Sequence, residues 1–130
     1  MSSIKWVHSS PLNSPEALAD FENDYDVVLP SAFKAFITVN NYAAPLPDTV
    51  TIKGFGDTDV KRLLSFNRAD TETVYQVIDY FIKKSIVPFA SDSYGNYFCL
   101  SGETVVFWEH ETGVRYDLQW TFDEFLEFMH

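Results

Sequence analysis

Cysteine is almost absent from this 130-residue chain, which carries Cys99 alone. One thiol cannot close an internal disulfide, and its place between Phe98 and Leu100 reads as a small buried apolar residue, so a reducing cytoplasm is the expected location. Bases are scarce too, nine Lys and Arg against nineteen Asp and Glu, for a formal charge of −10. Nucleic acid is excluded as a natural ligand, because such binding draws its affinity from Lys and Arg displacing counterions. Anionic membrane surfaces would repel the chain for the same reason, whereas a basic protein would be attracted and steered toward it. No run approaches the roughly eighteen apolar residues of a membrane span, and residues 1–10 lack the apolar segment of a signal peptide.

Sets of residues that carry chemistry are also missing. His8, His110 and His130 are far apart and form no metal pair or local relay. Residues 92–96, Asp-Ser-Tyr-Gly-Asn, match the start of a calcium loop only loosely, lacking the third-position acid and the later glutamate, and read as a hairpin turn. Gly54-Phe55-Gly56 lacks the third glycine and the following helix of a dinucleotide site. No catalytic residue, metal or cofactor is therefore assigned, and the expected role is non-enzymatic.

What is present in quantity is apolar surface. Apolar residues make up 46% and aromatics 17%, with twelve Phe, enough to offset the entropy of ordering one core but not two, so residues 1–130 are expected to form a single domain. Ser14-Pro15 supplies a cap and a first-turn proline for a helix over about 15–24, with Ala17, Leu18 and Phe21 on its apolar stripe. After Leu29-Pro30-Ser31, the spacing of Ala32, Phe33, Phe36 and Ile37 predicts a second helix closed by Asn40-Asn41. Residues 49–55 alternate as a half-exposed strand, and 60–66 read as its neighbour. Val74, Val77, Ile78, Phe81 and Ile82 predict a third helix from about Asp70 to Lys84. Residues 86–90, 97–100, 104–109 and 114–118, separated by turn-forming sets, read as a meander. Thr121-Phe122-Asp123-Glu124 matches a capping box that opens a last helix. The fold class this defines is α+β: N-terminal helices packed on a mostly antiparallel multi-stranded sheet, with a C-terminal helix.

The acids are unevenly distributed. Residues 14–30 hold Glu16, Asp20, Glu22, Asp24 and Asp26 and no base, and from Glu103 onward seven acids face only Arg115. Glu16, Asp20 and Asp24 stand four apart on one helix face, where each like-charge pair costs about 0.2–0.5 kcal/mol, so helix formation does not favour the stripe. It serves either as a solvated surface or, if the two acidic segments meet, as a docking face for a basic partner. Trp108-Glu109-His110-Glu111 alternates along a strand, with Trp108 and His110 on one face. They are either core residues or the indole and imidazole of a rim site.

The order of landmarks resembles the SUKH (SMI/KNR-like) superfamily of bacterial immunity proteins for polymorphic toxins and fungal regulators of cell-wall synthesis. The resemblance rests on Phe21-Glu22, Leu29-Pro30, residues 33–37, Asn40-Asn41, Val87-Pro88-Phe89-Ala90, Asp92, Gly95-Asn96, Val106-Phe107-Trp108 with His110, and residues 122–126. Two positions depart from the family pattern: Tyr42 and Ala43 stand where glycines usually follow the helix-closing Asn, and Ser101 stands where the family has an acid. The Asn pair is then the expected left-handed cap. The resemblance implies a noncatalytic antidote whose acidic face covers a basic, nuclease-type toxin, with an intracellular regulatory or scaffold module binding an endogenous protein as the alternative. The partner-binding residues it assigns, together with the charge pattern, are Glu16, Asp20, Asp24, Asp92, Tyr94, Asn96, Trp108, Glu109, His110 and Glu111.

Overall fold

The computed structural model describes residues 4–130; Met1 to Ser3, the start of the stretch searched for a leader, lie outside the described residues. Strand β1 (Lys5–Val7) pairs with β2 (Ala44–Leu46) in a small antiparallel ribbon. Between them lie two helices. Ser14 Oγ accepts the Glu16 N–H at 3.1 Å and the Ser14 carbonyl accepts the Ala17 N–H at 3.2 Å, so Ser14 and Pro15 form a turn and helix α1 follows it at Ala17–Tyr25. Leu18 and Phe21 face inward, and the helix ends at Asp26 in the left-handed region.

Helix α2 (Ser31–Asn40) starts after Pro30 and buries Phe33 and Ile37. Its left-handed cap is not an asparagine: Tyr42 takes the positive φ of 70°, while Asn41 is extended. The reason is that the buried Asn41 side chain is committed elsewhere. Its Nδ2 donates to the Ser10 carbonyl at 2.9 Å and to Ser65 Oγ at 3.0 Å, and its Oδ1 accepts the Phe66 N–H at 2.9 Å. The strain at Tyr42 is offset locally by Arg62, whose guanidinium lies 3.7 Å from the tyrosine ring centre and donates to the Tyr42 carbonyl.

Strand β3 (Thr49–Ile52) pairs with β4 (Gly56–Asp59), not with residues 60–66 as expected. Gly54 and Gly56 adopt φ of 88° and 118°, which turns the chain back directly after Ile52. Residues 60–66 then leave the hairpin: β5 (Arg62–Leu63) joins the edge of the main sheet, and Ser65 and Phe66 go to Asn41. The third helix is also shorter than its periodicity suggests. Ser65 bridges residues 72–74, taking the Val74 N–H and giving its own to the Glu72 carbonyl, so the backbone there is extended. Only a 3-10 turn (Val74–Gln76) and helix α3 (Ile78–Ile82) follow.

The main sheet is the expected meander with one short edge strand, in the order β5, β6 (Val87–Ser91), β7 (Tyr97–Ser101), β8 (Thr104–Trp108) and β9 (Arg115–Thr121). Helix α4 (Phe122–Glu127) continues from β9 behind the expected capping box, Thr121 Oγ1 accepting the Glu124 N–H and Glu124 Oε1 accepting the Thr121 N–H. Alternation along the strands separates two cores. Phe89, Phe98, Leu100, Val105 and Phe107 meet Phe21, Phe33, Phe122 and Phe125 from the helices. Edge-to-face ring pairs recur there, Phe33–Phe122 at 5.1 Å and Phe89–Phe125 at 5.2 Å, each worth about 0.5–1.5 kcal/mol beyond burial. On the opposite face Cys99 and Trp108 pack with Phe81 and Ile86 under α3. The chain is thus α+β, as expected.

Candidate partner-binding site

Asp92 organises the loop that joins β6 to β7. It is 3% exposed, yet no Lys or Arg pairs with it among the described residues. Neutral donors hold it instead. Its Oδ1 accepts the N–H groups of Tyr94 at 2.9 Å and Asn96 at 2.8 Å, and its Oδ2 accepts Thr58 Oγ1 at 2.7 Å and Asn96 Nδ2 at 2.8 Å. The first two bonds form the Asx-type turn that Asp favours, with Gly95 at a φ of 87°. The other two fasten the loop to the β3–β4 hairpin and to itself.

Asn96, also buried, passes the connection on, its Oδ1 accepting the His110 N–H at 3.0 Å. A Cβ built on Gly95 would lie 3.2 Å from the His110 ring, so glycine permits this approach. His110 is exposed and is not a core residue, because β8 ends at Trp108 and residues 109–113 turn, the Gly113 N–H bonding to the Glu109 carbonyl at 2.8 Å. Trp108 takes the core position alone, its ring edge-on to Phe81 at 5.1 Å, and leaves little surface for a partner.

The loop is also fastened at its outer side. Asp59 accepts the Ser93 N–H at 2.8 Å and the Ser93 hydroxyl. On this frame Tyr94 stands 70% exposed, next to the turn carrying exposed His110 and Glu111 and half-buried Glu109, which accepts the Tyr116 hydroxyl at 3.3 Å. Of the assigned residues in this region, Tyr94, Glu109, His110 and Glu111 are presented outward. Asp92 and Asn96 hold them in place. Thr58 and Asp59 were not legible as site residues, because they meet Asp92 and Ser93 only across 34 positions of chain.

Glu16, Asp20 and Asp24 are all exposed, but Glu16 precedes α1 in the Ser14 turn, where its carboxylate accepts the Ser14 hydroxyl, and only Asp20 and Asp24 lie on the helix beside Arg68 and Tyr75. Asp24 is 4.0 Å from Arg68, whose guanidinium stacks 3.8 Å from the Tyr75 ring centre. Tyr75 titrates above the ordinary phenol range, first through burial, with Arg68 opposing and the Asp24 and Asp20 charges adding. The acids from Glu103 onward do not form one patch. Glu103 and Glu109 flank opposite ends of β8, about 20 Å apart by strand rise. Asp117 pairs with Arg115 at 2.8 Å, and Glu124 caps α4. Only the 109–111 acids join the Asp92 region. Residues 72–77 lie between this region and α1, with Tyr75 toward Asp20 and Asp24 and Gln76 and Val77 toward Asp92 and Ser93. Besides the four pairs centred on Lys34, Lys61, Arg68 and Arg115, no carboxylate has an ion pair among the described residues.

One hydroxyl, imidazole and carboxylate set is present, but in an order unsuited to nucleophilic catalysis. Thr51 Oγ1 donates to Asp57 at 2.7 Å and lies 3.0 Å from His130 Nε2. The hydroxyl directs its proton at Asp57 and not at His130, and among the described residues no acid bonds to the imidazole. Among the described residues no group of three or more His, Cys, Asp or Glu could hold a metal ion, and no helix is long and apolar enough to cross a membrane.

The fold and loop define an α+β domain in which Asp92 and Asn96 hold the 92–96 loop against the β3–β4 hairpin and the 109–113 turn. A family model described as SMI1 / KNR4 family (SUKH-1) matches residues 12–127, and the chain belongs to that family. No curated protein and no solved structure matches it.

Proposed function

We propose that the chain, as one domain spanning residues 1–130, is a cytoplasmic non-catalytic protein-binding domain that neutralises a cognate, basic, nuclease-type toxin. The observation that carries this is the buried Asp92 frame, which holds Tyr94 outward beside Glu109 and Glu111, carboxylates with no ion pair among the described residues. An aromatic anchor on a rigid loop loses little entropy on binding. The surrounding negative charge raises the encounter rate with a positive surface. Family membership supports a binding role.

Co-expression with the toxin encoded beside this gene tests the reading: restored growth is the expected result. Absence of rescue, with a complex to an endogenous protein recovered instead, would replace it by a regulatory or scaffold role.

A further inference from the structure

Beneath the 92–96 loop lies a pocket of about 230 Å³, lined among others by Lys61, Glu72, Ser91, Asp92, Ser93 and Tyr97. Two of its oxygens stand out. Glu72 Oε2 and Ser91 Oγ are buried and have no hydrogen-bond partner among the described residues, and Ser91 as a whole is 8% exposed. Buried polar atoms are normally satisfied, so two unmatched oxygens in one pocket call for donors from outside the chain. The other groups there are already engaged. Lys61 Nζ is 2.6 Å from Glu72 Oε1, and both Asp92 oxygens carry two hydrogen bonds each.

The charge inside is negative: Lys61 offsets Glu72, leaving Asp92, with Asp59 bound to Ser93 at the rim. An anion is disfavoured and a cation attracted. Burial, and after it the Glu72 charge, raises the pKa of Tyr97, which lines the pocket, so its phenol is neutral. The volume is below the roughly 300–1,000 Å³ of sites for drug-sized ligands and suits the end of one side chain. Two acceptors on different elements, with an aromatic wall, match the planar five-donor fork of a guanidinium better than the compact ammonium of lysine.

We propose that this pocket receives the guanidinium of an arginine carried by the protein partner, which donates to Glu72 Oε2 and Ser91 Oγ and stacks beside Tyr97. The inference rests on the protein-binding reading above and specifies the chemistry of the partner. Free arginine is a poorer occupant, because its α-carboxylate would enter a negative site.

The test is an amide-resolved NMR titration of the full chain with N-acetyl-arginine amide, and separately with N-acetyl-lysine amide, N-acetyl-citrulline amide and free arginine. The expected result is saturable, millimolar binding of the capped arginine, with shifts confined to Glu72, Ser91, Ser93, Gly95 and Tyr97. Binding should weaken at least roughly tenfold in Glu72→Gln, which loses a charge-assisted contact, and less in Ser91→Ala. Unchanged amide dispersion elsewhere shows that each variant is folded. Equal shifts with lysine or citrulline, tighter binding of free arginine, shifts spread along α1, or no shifts at millimolar probe would overturn the proposal. If the probe fails while the protein partner still binds, the pocket is lost and the partner reading stands. If the probe binds while no protein partner does, the reverse holds.

Discussion

Thr58 donates a 2.7 Å hydrogen bond to the buried Oδ2 of Asp92, joining a hairpin to a loop 34 residues further along the chain. That contact sets how far Tyr94 and Ser93 stand from the sheet, and hence the shape of the surface offered to a partner.

Removing the hub is expected to be costly. Asp92→Ala leaves two backbone N–H groups, the Thr58 hydroxyl and the Asn96 amide without their acceptor. The expected loss is about 3 kcal/mol, against about 1 kcal/mol for Thr58→Val. Urea denaturation of both variants and of the double variant checks this. If the two losses simply add, with no coupling of at least about 0.5 kcal/mol, the contact has no energetic weight.

The outward residues should behave in the opposite way. Tyr94→Ala is expected to leave stability within about 0.5 kcal/mol of the parent and to weaken partner binding by at least roughly tenfold. Glu111→Lys, which reverses an exposed charge, should slow association at low salt and change dissociation little. Stopped-flow association at low and high ionic strength is the measurement. A rate that ignores salt would remove steering from the account, since exposed charges are screened beyond roughly 10 Å at 0.1 M.

Cys99 couples the fold to alkaline pH. Burial pushes its thiol well above the ordinary value of 9.0, and Tyr97 on the same face is shifted the same way. A thiol that resists ionising only when folded stabilises fully below the unfolded pKa and loses that contribution as pH rises past about 9, at roughly 1.4 kcal/mol per pH unit for one group. Chemical denaturation at pH 8 and pH 10 should show this decline, and Cys99→Ala should lack the thiol's share of it. The native thiol should also resist alkylation until the protein unfolds.

The C-terminal helix offers a local control. Thr121→Ala removes the hydroxyl that accepts the Glu124 N–H at 3.2 Å and is expected to cost about 1 kcal/mol. Thermal unfolding checks it; no change in midpoint would show that packing of Phe122 and Phe125 alone holds α4.

Features governed by near neighbours in the chain were legible. Helix α2, the four meander strands and the Thr121–Glu124 box each depend on spacing and turn residues within a few positions. Readings failed where a distant contact outweighed the local pattern. The apolar period from Val74 to Ile82 promised one helix, but Ser65 holds residues 72–74 extended. Alternation through Trp108 and His110 promised a longer strand, but the bond from His110 to Asn96 helps turn the chain at 109.

The sequence by itself determined the class of the protein, the position of its aromatic core and the sign of its charge, because these follow from composition and short-range periodicity. Which carboxylates face solvent was decided only in three dimensions. Asp92 and Glu111 look alike as residues in an acidic chain; one is buried with four hydrogen bonds and the other is exposed on a turn. Three of the donors to Asp92 lie within four residues of it, but the fourth, Thr58, which seats the loop against the β3–β4 hairpin, comes from 34 residues away, and no local pattern encodes that contact.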